Sequence, residues 1–268
     1  MTVDSHTHVS MRWFEPVEVL LFQLDRHGIE QAVLVQFSGE YDNGYQSECA
    51  RRYPDRLVSV VSVDAADPDA VSRLTDLAGE GATGVRLRPT ARSAGDDPLA
   101  VWRAAESLGL AVSCLGRSAD FAGPEFAALL GEVPRLRVVL EHLGELRREN
   151  AALTVAQVER VCAAMAPFPN VSVKVHGFGE GAARAADISR SVFADPEPAA
   201  KVLRAYDVLG PERLMWGSDF PPSSGREGYT GAYRHPLEAL RAHGMTAAGE
   251  ASIFGDLARR VFRLPTPA

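Results

Sequence analysis

Short apolar runs alternate with helix-patterned segments along almost the whole chain. The first run, Val3-Asp4-Ser5-His6-Thr7-His8-Val9, predicts a strand. Residues 16–27 follow with Val17, Leu20, Leu21 and Leu24 at helical spacing and Gly28 as a stop. Residues 31–35 predict a buried strand. A loop over 37–44 leads to a helix ending near Tyr53-Pro54, and 57–63 predict a third strand. Asp67-Pro68 supplies a cap and a proline at the first helical position, opening a helix to about Gly79. The fourth strand is predicted over 85–88, with Pro89 at its end. Asp97-Pro98 opens a helix closed by Gly109, and 110–115 form the fifth strand. A helix through Phe126, Leu129 and Leu130 precedes a sixth strand over 136–142 and a helix over 154–165. Residues 171–175 predict the seventh strand, followed by a Gly/Ala-rich loop from Gly177 and a helix over 196–209. The eighth strand spans 214–217; a long loop over 219–235 leads to a helix over 236–243, and an amphipathic segment over 253–264 closes the chain.

Eight strands alternating with eight helices, spaced roughly 25 to 35 residues apart, fit a single (β/α)8 barrel domain over 1–268. A doubly wound open sheet is the alternative, but no Gly-rich phosphate-binding turn follows the first strand. No interdomain linker, heptad or low-complexity tract interrupts the pattern.

Composition narrows the partners. The net charge is −7, and no dense Lys/Arg cluster exists to neutralise phosphates, so neither nucleic acid nor a membrane surface is expected. No apolar run is long enough to cross a bilayer. Cys49, Cys114 and Cys162 are odd in number and lack C-x-x-C spacing, which speaks against a disulfide framework and fits a reducing cytoplasm. The first strand starts too early for a cleavable signal to precede it.

The chemistry collects at predicted strand ends, where barrels place their active sites. His6 and His8, two residues apart, project to one face with Asp4, a spacing suited to gripping a metal or polarising a substrate oxygen. The sixth strand ends Glu141-His142 and the eighth Ser218-Asp219. The fourth carries Arg86 and Arg88 on one face, and the seventh Lys174 and His176. Arg86 and Arg88 either face the barrel, ready for an anionic group, or straddle the outer helices paired with acids. Lys174 is either catalytic or a structural cation holding Asp219 or Asp4. His176 and His235 border loops, where surface placement is the simpler expectation. Glu141, of opposite parity to His142, is expected to face the helices, and Cys114 to be a core thiol.

His6-x-His8, the segment Val138-Val139-Leu140-Glu141-His142-Leu143-Gly144 and the segment Leu214-Met215-Trp216-Gly217-Ser218-Asp219-Phe220-Pro221 together resemble the amidohydrolase superfamily, in particular its second amidohydrolase family of lactonases, hydratases and decarboxylases. Residues 253–262 resemble that family's closing helix, with Asp256 where asparagine is usual. The resemblance implies a slightly distorted (β/α)8 barrel with His6, His8, His142 and Asp219 at its mouth, as catalytic residues and as ligands if a metal is bound. Many relatives carry a histidine at the end of the fifth strand and some a lysine on the fourth. Here the fifth reads Leu110-Ala111-Val112-Ser113-Cys114-Leu115-Gly116, and the fourth has no lysine. One zinc or manganese ion, completed by Cys114 or His142, and metal-independent catalysis of the kind found in the lactonase branch therefore both stay open.

The leading expectation is hydrolysis of a small ester-like bond, a lactone of an anionic or sugar-acid substrate, with Asp219 as general base and His6, His8 and His142 stabilising the oxyanion. Arg86, Arg88, Lys174, His176, Tyr229 and Arg234 are the candidate substrate contacts, the last two carried with Arg226 on a lid over 223–235. The rivals are a zinc-dependent non-oxidative decarboxylase, a Schiff-base aldolase at Lys174 and a metabolite-binding barrel that has lost catalysis. The exposed helix ring of a barrel would permit a homodimer.

Overall fold

The computed structural model describes residues 1–145, 153–181 and 198–266. Eight parallel strands lie in sequential order: β1 (Val3–Thr7), β2 (Gln31–Val35), β3 (Leu57–Ser62), β4 (Gly84–Leu87), β5 (Ala111–Cys114), β6 (Val138–Leu140), β7 (Val171–Val175) and β8 (Leu214–Trp216). Every neighbouring pair is parallel, as crossover connections between consecutive strands allow. Backbone bonds past the end of β8 bring it back to β1: Asp219 N–H donates to the His6 carbonyl at 2.9 Å, and His8 N–H to that of Phe220 at 2.8 Å. The result is a nearly closed (β/α)8 barrel.

Helices α1 (Val17–His27), α2 (Gly44–Arg52), α3 (Ala70–Gly79), α4 (Ala100–Ser107), α5 (Ser118–Phe121), α6 (Pro124–Glu132), α7 (Val155–Met165), α8 (Phe178–Gly181), α9 (Pro198–Leu209) and α10 (Gly228–Ala242) follow the strands. The main core lies between barrel and helices, where Leu20, Leu24, Leu74, Trp102, Phe126, Val158 and Leu240 pack on the outward strand residues. A second core fills the barrel floor: Val33, Val58, Ala111, Val139 and Met215 meet Leu257 and Phe262 from the C-terminal segment. That segment runs through α11 (Ala247–Ala251), a π-helical turn (Ser252–Asp256) and α12 (Leu257–Phe262). It plugs the bottom, leaving the strand C-termini to open the site.

The seam between β8 and β1 is tight. A Cβ on Gly217 would lie 2.6 Å from the His6 Cβ and 3.0 Å from its backbone nitrogen. Gly217→Ala therefore has to spread the seam, and we expect a loss of about 2–3 kcal/mol in denaturant unfolding, as for overpacking in a rigid core. An unchanged midpoint would show that the seam yields freely.

Three expectations are corrected. The strand predicted over 136–142 ends at Leu140, because His142 and Leu143 take left-handed backbone angles (φ 52° and 55°). The loop predicted over 219–235 is a short 3-10 turn (Pro222–Gly225) followed by α10, with Pro236 inside that helix rather than at its start. A proline there leaves the carbonyl four residues back without its helical donor. The Trp216 indole N–H bonds that Ala232 carbonyl at 2.8 Å, which is why the helix tolerates it. The segment from Gly177, expected as loop, begins with the helical turn α8; its continuation over 182–197, including the first two residues of the helix predicted over 196–209, lies outside the described residues.

Candidate active site

The barrel's upper interior is polar and almost dry. Asp4, His6, Ser113, Glu141, Lys174 and Ser218 are each 0–1% exposed. His6 and His8 leave β1 on the same face as expected, their rings 4.9 Å apart and nearly perpendicular. The His6 ring also lies 5.2 Å from each of the His142 and His176 rings.

Hydrogen bonds fix the tautomers. His8 Nδ1 is 2.6 Å from the Val35 carbonyl, which can only accept, so Nδ1 carries the proton and the Nε2 lone pair is bare. That lone pair faces Asp219 Oδ1 at 3.4 Å, and His6 Nε2, a buried atom with no hydrogen-bond partner, lies 3.7 Å from the same oxygen. Two acceptors this close repel unless a proton or a cation stands between them. His176 Nδ1 donates to the Gly217 carbonyl at 3.0 Å, while its Nε2 accepts the His142 backbone N–H at 3.1 Å. His176 is thus a neutral, fully engaged imidazole, stacked on His142 at 4.5 Å. Its expected surface placement is overturned: the inward parity of β7 carries it from Lys174 to the mouth, and it is 3% exposed.

Burial sets the charges. It drives His6 and His142 well below the usual imidazole range, helped by Lys174 for the first and Arg86 for the second. It lowers His8 to about 3, with Arg86 adding to the effect. These imidazoles are neutral at physiological pH, the form that binds metals. Burial lowers Lys174 to about 7 despite Glu141 nearby, and pushes Asp219 up to about 8 despite Arg86.

Glu141 faces inward, against expectation. It continues the inward parity of Val139, and His142 reaches the same interior because the chain leaves strand geometry there. The Arg86 guanidinium clasps Glu141 with Nη2 at 2.6 Å and Nε at 3.1 Å, and donates from Nη1 to the Gln36 carbonyl at 2.8 Å. Burial opposes ionisation of Glu141, but Arg86 and Lys174 outweigh it and hold the carboxyl below the usual range. Ser113 donates to Glu141 at 2.6 Å, and Lys174 Nζ lies 3.0 Å from Ser113 and 2.8 Å from His6 Nδ1. Lys174 therefore braces His6, not Asp219 or Asp4. Arg86 is inside the barrel, not among the outer helices.

The remaining candidates separate. Arg88 is exposed at the mouth, bonded to Ser38 at 3.2 Å. Arg226 Nη1 reaches to 3.8 Å from Asp219 Oδ2. Tyr229 does not sit on a loop lid: it is buried on α10 and donates to Asp4 Oδ2 at 2.7 Å, where Asp4 also accepts the Ser218 N–H at 2.8 Å. Arg234 is exposed on the same helix, and His235 is bonded to Glu227 at 2.8 Å. Cys114 is buried in the outer apolar layer, as a core thiol, on the face opposite Ser113. A cavity of about 460 Å³ opens beside the site, lined by Arg86, Arg88, Arg92, Tyr41, Ser62 and Asp64 among others. Arg92 and Phe14, which stacks on His8, were not singled out by pattern; both lie on loops, where placement has no periodicity to betray it.

Two sets of side chains bring ligand atoms close enough to share a metal among the described residues: His6, His8 and Asp219, and His6, Glu141 and His142. Glu141 is already bound by Arg86 and Ser113, so the first set is the better site. No helix of the described residues is long and apolar enough to cross a membrane.

Comparison with known proteins agrees with this geometry. The sequence profile of a family described as Amidohydrolase matches residues 3–264. An L-fucono-1,5-lactonase of Burkholderia ambifaria is 27% identical over 91% of this chain and 84% of its own. A Pseudomonas putida structure provisionally described as a 2-pyrone-4,6-dicarboxylic acid hydrolase superposes with a TM-score of 0.74 at 25% identity, covering 99% of this chain and 98% of its own. A Burkholderia multivorans amidohydrolase with bound zinc gives 0.77 at 19% identity, covering 99% and 100%.

Proposed function

The chain belongs to the amidohydrolase family, and from that premise we propose that it hydrolyses the ester bond of a small anionic lactone. The observation that carries this reading is the convergence of His6 Nε2, His8 Nε2 and the Asp219 carboxylate beside a cavity edged by Arg86, Arg88 and Arg92. The similarity to a fuconolactonase and to a pyrone-dicarboxylate hydrolase supports the lactone, the latter also the negative charge.

The donor set fits a divalent metal. Two neutral imidazole nitrogens and one carboxylate suit zinc or manganese, and His8 Nδ1 held on the Val35 carbonyl is the outer contact that aims a ligating ring. The unpartnered His6 Nε2 and the close approach of His8 Nε2 to Asp219 are what a cation would resolve. His6, His8 and Asp219 would hold it, with the His142 ring close by. When bound there, the ion supplies Lewis acidity.

The protein's own groups do the rest. In its ionised form, favoured above about pH 8 or beside a bound cation, Asp219 takes the proton of the water that attacks the lactone carbonyl. His8 Nε2 carries no proton to donate to the oxygen on which charge develops, so the part of His6 and His8 is to hold the cation whose Lewis acidity would meet that oxygen in a buried site. The carbonyl–ring oxygen bond then breaks, Asp219 returns the proton to the departing alkoxide, and the hydroxy acid formed releases the water's second proton to solvent as it becomes a hydroxycarboxylate. Arg88 and Arg92 orient the substrate's anionic group, since Arg86 is committed to Glu141.

A panel of sugar-acid and dicarboxylate lactones, read by proton release, tests the proposal. The protein is assayed as purified, after chelation and after zinc or manganese is restored, with metal content measured by elemental mass spectrometry. We expect turnover of an anionic lactone, about one metal ion per chain, and at least a tenfold fall on chelation that metal reverses. Carbon dioxide release from an aromatic acid with no lactone turnover would replace this reading with decarboxylation. Full turnover by metal-free protein would remove His6, His8 and Asp219 from the role of metal ligands.

A further inference from the structure

One feature of the mouth is not used by the hydrolytic machinery. The Phe14 ring lies nearly parallel to the catalytic-face imidazole of His8, 4.8 Å away at 16°. Phe37, on the loop after β2, meets Phe14 edge-on at 5.6 Å, and Trp13 lies against Phe37 at 6.0 Å and 24°. The rings form a continuous row from the buried site to solvent. Its outer members are strongly exposed: Trp13 is 61% and Phe37 40% accessible, with Met11 beside them in sequence at 71%. The row is held in place. Ser10 Oγ accepts the Arg12 and Trp13 backbone N–H groups at 3.0 and 3.1 Å, and the Trp13 indole N–H points to Glu40 at 3.4 Å. Contiguous exposed aromatic surface on a soluble protein marks a place that something covers.

The charge beside the row narrows what covers it. Ser38, the neighbour of Phe37, bonds Arg88, and Ser38 and Tyr41 line the cavity that Arg86, Arg88 and Arg92 make cationic, with Asp64 as its acid. The aromatic row adjoins that basic cavity at Phe37-Ser38, its inner end reaches His8, and on its far side Trp13 lines a separate hollow with Arg12, Glu40 and Asp42.

We infer that the substrate is amphipathic: a lactone whose carboxylate meets Arg88 and Arg92 and whose aryl or other flat apolar substituent lies on Phe14, Phe37 and Trp13. This rests on the lactonase reading for the bond that is broken, but the binding surface is independent of it. A bare sugar lactone, hydroxylated on both faces, would leave the aromatic row wet. A planar ring shares π surface with it and removes the exposed indole from water. Phe37 and Trp13 are thus specificity-determining residues rather than catalytic ones.

Phenylsuccinate against succinate isolates the aryl contribution, since the two share the same pair of carboxylates. Calorimetry gives their dissociation constants. Tryptophan emission gives the location, because Trp102 and Trp216 are fully buried and Trp13 is the exposed indole. We expect phenylsuccinate to bind at least tenfold more tightly, to shift the emission saturably, and to lose that shift in W13F. Phe37→Ala should bring the affinity ratio to within about threefold of unity. Equal affinities, or a preference that leaves both Trp13 emission and the F37A ratio unmoved, would overturn the inference. So would light scattering that shows a dimer dissociated by Phe37→Ala, which would assign the row to a second copy of the chain. Binding is read without turnover, so aryl selectivity with no lactone hydrolysis would sink the reaction and keep the surface. Hydrolysis without aryl selectivity would do the reverse.

Discussion

Asp219→Asn is expected to lower kcat for lactone hydrolysis by at least about a hundredfold, close to 3 kcal/mol of barrier, while the folded structure persists. The amide matches the carboxylate in shape but cannot accept the proton of the attacking water. It is also a weaker metal ligand, so the metal content measured on the same sample should fall. The fold is expected to hold because the residue's structural work is done by its backbone, whose N–H closes the barrel seam on His6. Burying a neutral amide at this 5%-exposed position also costs less than burying a carboxylate. Circular dichroism and the unfolding midpoint of the chelated protein should therefore match the parent. Turnover within a few-fold of normal would remove Asp219 from the chemistry and pass the general-base role to another group.

That Asp219 and the His6/His8 pair could be named from sequence follows from where they sit. Alternation along β1 sets His6 and His8 on one face, whereas Asp219, past the end of β8 at φ 54°, was placed by the apolar run that leads to it and by the barrel's polarity. The strand count was legible in the spacing of the apolar runs, and the closing segment in its amphipathic helical pattern. Alternation fails where the backbone leaves strand geometry. At His142 the left-handed turn lets two consecutive residues face inward, so a parity argument anchored on His142 sends Glu141 the wrong way. Extending parity from Val139 instead would have placed Glu141 correctly. The partners of charged groups were also hidden. Arg86 and Lys174 both point inward as strand residues, but their contacts, Glu141 in one case and His6 with Ser113 in the other, come from strands two places away around the barrel, a layering that is not written in any local pattern. Tyr229 and Arg234 were expected on the loop, and are found on α10, because Pro236 looked like a helix start. The compensating bond from Trp216 to Ala232, twenty residues before that proline in one partner, is a tertiary fact.

Breaking the Arg86–Glu141 pair should be the most destabilising single change in the barrel. Both side chains are nearly dry, 6% and 0% exposed, and Glu141 accepts from Arg86 and Ser113 together. Glu141→Leu leaves the guanidinium buried without its counter-charge and removes the acceptor of the bond from Ser113, so a loss of about 3–5 kcal/mol is expected in denaturant unfolding. Arg86→Met should cost a similar amount by stranding Glu141. The double variant Arg86→Met/Glu141→Leu strands neither charge and replaces the pair with apolar volume. It should therefore lie at least about 2 kcal/mol above the sum of the two singles, a coupling that only interacting groups produce. The cycle also separates structure from chemistry. The pair holds the floor beneath His6 through Ser113 and Lys174, so the double variant should recover stability without recovering full lactone turnover. Additive losses would mean that Arg86 and Glu141 are stabilised separately, Arg86 by the Gln36 carbonyl and Glu141 by Ser113. The clasp at 2.6 Å would then be a neighbourly contact rather than the unit that keeps charge in the barrel.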